Sequence, residues 1–151
     1  MECFEIQWKG PYSVNRAPML KIAGNFGIYA ISQKKGKGVK LLYIGHVYWQ
    51  DFAKRLKQHK RDWFDKISVE KVVHFGLVRI PEGKKASFER VRDIEEFLIS
   101  HHIPPCNTVG KKRYQGRELL VINTGKSVPL DKIASSNKQS LQLIKKALLK
   151  H

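Results

Sequence analysis

The chain has 151 residues, enough for one packed domain with an appendage and too few for two full domains. A hydrophobic fraction of 42% excludes a wholly disordered chain, and no apolar run approaches the length of a membrane span or of a signal peptide's centre. The 29 Lys and Arg against 13 Asp and Glu give a net charge of +16, a field that attracts polyanions and makes nucleic acid the expected partner without separating binding from cutting.

In chain order, residues 4–8 alternate enough for a short strand, which Gly10-Pro11 breaks. Residues 26–31 predict a strand, 34–38 a polar turn and 41–44 a returning strand, together a hairpin. Phe52, Leu56 and Trp63 recur at helical spacing behind Asp51, which predicts an amphipathic helix over about 50–64. The β-branched run 72–80 predicts a strand closed by Pro81-Glu82-Gly83. A second helix over about 86–102 must end at Ile103-Pro104-Pro105, because proline removes a donor and clashes with the preceding turn. The order β-β-α-β-α predicts an α+β layered domain, a central antiparallel three-stranded sheet flanked by helices, over 24–110. Residues 1–23 are an expected N-terminal extension, and 111–151 a basic C-terminal extension with a strand at 119–122 and a helix from about Asn137. Cys3 and Cys106 have no metal-type spacing and are too few for a disulfide framework, which fits a cytoplasmic or nucleoid-associated protein with no membrane partner.

Chemistry concentrates in the hairpin and the two helices that follow. Gly27-Ile28-Tyr29 and Tyr43-Ile44-Gly45 lie at its two ends. Side chains alternate along a strand, so Gly27, Tyr29 and Ile31 share one face, and Leu41, Tyr43 and Gly45 share one face of the partner. Two phenols on one side of a hairpin can position a water and a phosphate oxygen; on the hairpin alone, ordinary cross-strand packing explains them better. Arg55 and His59 are one helical turn apart, where a guanidinium can stabilise phosphoryl charge, or where both simply belong to a solvated face with Lys54, Lys57, Lys60 and Arg61. In the second helix Glu95 falls inside the apolar arc of Phe88, Val91, Ile94, Phe97, Leu98 and Ile99, whereas Glu89, Asp93 and Glu96 fall outside it. A carboxylate in such an arc needs compensation, by a hard cation such as Mg²⁺ or by an internal pair with Arg or Lys.

Taken together, the two tripeptides, Arg55, His59, Glu95 and Asn107 resemble the catalytic constellation of the GIY-YIG nuclease family in order and register, over about residues 24–110. The resemblance implies an endonuclease that hydrolyses phosphodiester bonds in DNA with Mg²⁺, Mn²⁺ serving as a substitute. It gives Tyr29 the role of general base or water positioner and Tyr43 that of an aid to positioning. Arg55 would stabilise phosphoryl charge, His59 would transfer a proton or hold the phosphate, and Glu95 would ligate the metal. Gly27 and Gly45 would leave room for substrate, and Asn107 would fix a turn. His46 and Trp49 lie beside this site, as phosphate and base contacts or as plain loop residues. With Lys54, Arg61 and the basic stretch Lys111, Lys112, Arg113 and Arg117, they form the expected contact set for double-stranded or branched DNA. The alternatives are a non-cutting nucleic-acid binder of the same fold and an RNase. The last helix is expected to serve either in packing or in a homodimer.

Overall fold

The computed structural model describes residues 1–21, 27–48, 52–108, 113–125 and 128–150. Nine principal elements follow in chain order: β1 (Glu2–Ser13), β2 (Gly27–Lys35), β3 (Gly38–Val47), α1 (Phe52–Asp62), β4 (Lys71–Arg79), α2 (Phe88–His102), β5 (Leu119–Gly125), β6 (Ile133–Ser135) and α3 (Lys138–Leu149). Among the described residues, short 3₁₀ turns also lie at Ala17–Met19 and Phe64–Lys66.

The fold is α+β, but the sheet is not three-stranded. It has six strands in the order β3-β2-β4-β1-β5-β6. The expected antiparallel trio is present as one half, with β2 between β3 and β4. The other half is built on β1, which runs antiparallel to β4 and parallel to β5. The segment expected to end at Gly10-Pro11 therefore continues to Ser13 inside the sheet. A register shift between Lys9 and Tyr12 absorbs the break, and a bulge is the position in a sheet interior where proline's missing N–H is tolerated. The residues that would carry the expected domain boundaries, 23–24 and 110–111, lie outside the described residues.

The sheet separates two apolar clusters. On one face Phe4, Ile6, Trp8, Ile28, Ala30 and Ile44 pack against Val91, Ile94 and Leu98 of α2. On the other, Tyr29, Ile31, Val47, Val73 and Phe75 pack against Phe52 and Leu56 of α1. Alternation along β2 and β3 thus assigns each helix its own side of the hairpin. A second register shift, between Ile31 and Ser32, leaves Leu42 without a Cα partner. Past it the facing reverses: Leu41 packs against the α2-side cluster, not on the side of Tyr43 as uniform alternation predicted.

Helix ends follow local chemistry. Ser87 Oγ caps α2 by accepting from Arg90 N at 3.1 Å, and Ile103 closes it in a left-handed conformation before the two prolines. Asn137 Oδ1 caps α3, accepting from Gln139 N and Ser140 N. No residue of α3 is buried, and Leu143, Leu148 and Leu149 are exposed. No helix among the described residues is long and apolar enough to cross a membrane.

Candidate active site

On the α1 face the hairpin delivers Tyr29 from β2 and Tyr43 from β3, their ring centroids 6.0 Å apart. Tyr29 lies opposite Gly45 in the β2–β3 register, and a Cβ at position 45 would overlap the Tyr29 ring. The glycine of the second tripeptide is therefore the socket of the tyrosine in the first. This is a close-packing requirement within the hairpin, distinct from the space for substrate expected at that position. At Gly27 the backbone itself demands glycine, with φ at +151° and a Cβ that would meet the Gly76 carbonyl.

His59 of α1 is buried between the two phenols and Trp63, with its ring centroid 4.7 Å from that of Tyr43. Trp63 Nε1–H donates to His59 Nδ1 at 2.7 Å, and His59 Nε2 lies 2.5 Å from the Tyr29 hydroxyl oxygen. An indole N–H can only donate, so Nδ1 is an acceptor and the neutral ring carries its proton on Nε2, which donates to Tyr29. The ring is neutral because burial, helped by the nearby Arg55 charge, lowers its pKa to about 3. Tyr29 is 1% exposed. Burial, then the Tyr43 phenol, raises Tyr29 well above the usual tyrosine range, against the opposing pull of Arg55. Arg55, half-buried, is lowered by burial, but attraction and hydrogen bonding to the Tyr29 and Tyr43 oxygens outweigh this and raise it. Its Nη1 also donates to Gln58 Oε1 at 2.9 Å. Four of the expected residues, Tyr29, Tyr43, Arg55 and His59, thus meet in one place, with a guanidinium against two phenols.

Glu95 belongs to the opposite face. It projects from α2 toward His46, whose position on β3 alternates with Gly45 and so faces α2. His46 Nδ1 donates to Glu95 Oε2 in a short contact, with side-chain exposures of 21% and 18%. The carboxylate in the apolar arc has its compensation, and the partner is a histidine from the hairpin, not the Arg or Lys anticipated. β3 is an edge strand of the sheet, and the Glu95 charge is felt at Tyr29, where it adds the smallest of the contributions to the shifted pKa. A hydrogen-bonded, partly solvent-open carboxylate is a hard oxygen donor of the kind that suits Mg²⁺, whose remaining positions are ordinarily filled by water and phosphate oxygens.

Asn107 acts on β3 instead of on its own turn. Its Oδ1 accepts from Ile44 N at 2.9 Å and its Nδ2 donates to Ile44 O at 2.8 Å, while Cys106 N donates to Leu42 O. Residues 106 and 107 so bond to the edge strand as a further strand would, and hold the second tripeptide straight.

The remaining expected residues are dispersed. Lys54, Arg61 and Arg113 are exposed. Arg117 bonds Asp93 through Nε and Nη2 at 2.9 Å each and joins Glu2 and Arg90 in an ion network, so its guanidinium is engaged within the chain. This network corrects the reading of α2: Asp93, expected outside the buried arc, is 8% exposed and the more buried of the two carboxylates. Trp49, Lys111 and Lys112 lie outside the described residues. Trp63 and Gln58 had no place in the expected site; the signal for Trp63 was its i+4 spacing from His59, which reads equally as apolar stripe. No family model, no curated protein and no solved structure matches the chain.

Proposed function

We propose that the chain is a divalent-metal-dependent endonuclease of the GIY-YIG type acting on DNA. One observation carries the reading: the Arg55 guanidinium set against the Tyr29 and Tyr43 phenols on one face of the hairpin, with His59 Nε2–H donating to Tyr29. A pre-set cation beside phenol oxygens matches what phosphodiester hydrolysis needs, which is fixed positive charge where negative charge grows and hydroxyl groups to orient a water. Arg55 holds the phosphoryl oxygens. Tyr43, half-buried and at the mouth of the cluster, contacts the attacking water or the phosphate. Tyr29 anchors this array from beneath. Its phenol is protonated in the resting protein, so a role as base requires its two donors, Arg55 and His59, to overcome the effect of burial. With Nε2 already protonated, His59 serves to orient Tyr29 and does not accept its proton. Glu95, oriented by His46, would hold Mg²⁺ or Mn²⁺, which when bound supplies Lewis-acid polarisation of a phosphoryl oxygen.

The test is incubation of the protein with plasmid, linear, branched and single-stranded DNA and with RNA, in Mg²⁺, Mn²⁺ or chelator. DNA cleavage that chelator abolishes, and that Glu95→Ala loses while folding and DNA binding persist, is the expected result. Salt-sensitive binding without cleavage in any metal would make the chain a binder, and cleavage confined to RNA would make it an RNase.

A further inference from the structure

At the far end of α2 from Ser87, three metal-type ligands converge that the proposed nuclease site does not use. His101 and His102 lie in the last turn of the helix, and Asp131 lies in the connection between β5 and β6. One donor atom from each falls within 4.8 Å of the other two. His101 Nε2 is 2.8 Å from Asp131 Oδ2, and Asp131 N donates to His102 Nε2 at 3.1 Å.

We propose that His101, His102 and Asp131 form a binding site for a transition-metal ion of the zinc class, with two imidazole Nε2 atoms and one carboxylate oxygen as ligands. Two further features support the assignment independently of the cluster. First, His102 Nδ1 donates to the Leu98 carbonyl at 3.0 Å, which leaves the lone pair on Nε2, the atom directed at Asp131. A backbone carbonyl on the far ring nitrogen is the usual device that orients a metal-binding histidine. Second, the Asp131 backbone is held from the core. The Asn123 side chain, 7% exposed, donates to Asp131 O at 2.7 Å and itself accepts from the buried Trp8 indole at 2.8 Å. The Asn123 N–H donates to Lys132 O at 2.8 Å. A hydrogen bond from the buried Asn123 side chain thus fixes the backbone of Asp131, whose own side chain is exposed.

The donor set distinguishes this site from the one at Glu95. Imidazole nitrogens favour Zn²⁺, Co²⁺ or Ni²⁺, whereas a lone carboxylate surrounded by water favours Mg²⁺. Three protein ligands leave a fourth tetrahedral position for water. Zinc bond lengths near 2.0 Å set the ligand atoms about 3.3 Å from one another, so the His101–Asp131 pair opens from 2.8 Å, and the Nε2 proton that His101 donates to Asp131 moves to Nδ1 or is released to water as the metal binds. The hydrogen bond from Asp131 N to His102 Nε2 gives way to the metal bond. The ion would join the end of α2 to the β5–β6 connection.

Calorimetric titration of the metal-free full chain with Zn²⁺, and its titration with Co²⁺ followed by visible absorption, should show one equivalent bound in a tetrahedral site, unaffected by excess Mg²⁺. His101→Gln and Asp131→Asn should each weaken Zn²⁺ binding at least about tenfold. Glu95→Ala should keep the equivalent, which separates this site from the proposed nuclease centre. Nitrogen NMR of the unaltered chain should show Zn²⁺ shifting the Nε2 signals of His101 and His102, a readout that does not depend on either variant folding. Absence of binding, equal binding in both variants, or unshifted His101 and His102 signals would overturn the site.

Discussion

On the α1 face of the β2–β3 hairpin, Tyr29 is 1% exposed, and hydrogen bonds run from Trp63 through His59 to Tyr29. On the α2 face, His46 and Glu95 pair with about a fifth of each side chain open to solvent. The same two strands support both arrangements because alternate residues face opposite helices. In the proposed nuclease the difference separates two requirements of one reaction. Charge stabilisation and orientation gain from burial, where a fixed guanidinium acts in a low dielectric. A metal ligand must exchange water and substrate oxygens, and so must remain accessible.

If the buried face carries the chemistry, Arg55→Ala should reduce DNA cleavage on the order of 10²–10³-fold, the loss typical of removing one preorganised charge or donor. His46→Gln, which disturbs only the orientation of Glu95, should reduce it about 10–100-fold and raise the Mg²⁺ concentration needed for half-maximal rate. Single-turnover rates across a metal titration would measure both, and a larger effect at His46 would break the assignment of roles to faces.

Acid should affect the buried groups next. His59 is lowered to about 3, mainly by burial. His74 on β4, opposite Ala30, is lowered to about 4 by burial and has no hydrogen-bond partner on either ring nitrogen among the described residues. Both take up a proton more readily in the unfolded chain, near its ordinary value of about 6.5. Their contribution is therefore fully present above about pH 6.5 and is lost as pH falls toward 4 and then 3. Urea unfolding between pH 7 and pH 4 should show the decline, and His74→Gln should flatten part of it. A flat profile would mean that both rings protonate in place.

The smallest effect sharpens the comparison most. Trp63→Phe keeps an aromatic ring beside Tyr43 but removes the donor to His59 Nδ1, at a cost of about 1 kcal/mol. Nitrogen NMR should then show His59 leaving the single Nε2–H form, whereas an unchanged tautomer would mean that Tyr29 alone sets it.

The sequence-based reading was strongest where structure is local. The hairpin, both helices of its α-β-α continuation, the stop at Ile103 and the start of the last helix near Asn137 all follow from periodicity and punctuation within a few residues. Sheet order was hidden because β1 pairs with β5 across most of the chain, and no pattern within either strand specifies that partner. Gly10-Pro11 reads as a stop in isolation and is a bulge in context. β6 has three residues and carries no alternation to detect. In the site, spacing places the tyrosines on one face and Arg55 one turn from His59, but only the family resemblance groups them into a single constellation. The His46–Glu95 pair was not legible, because it joins a strand to a helix on a face that only the packing of α2 defines.

The interior position of β1 also shapes how the protein is made. Residues 2–13 are made well before residues 119–125, so one edge of that strand has no neighbour until the later segment has been synthesised. Trp8 waits as long for Asn123 to accept its indole proton. Until then the nascent chain carries a strand with one open edge, a row of unpaired backbone groups on which another chain can pair.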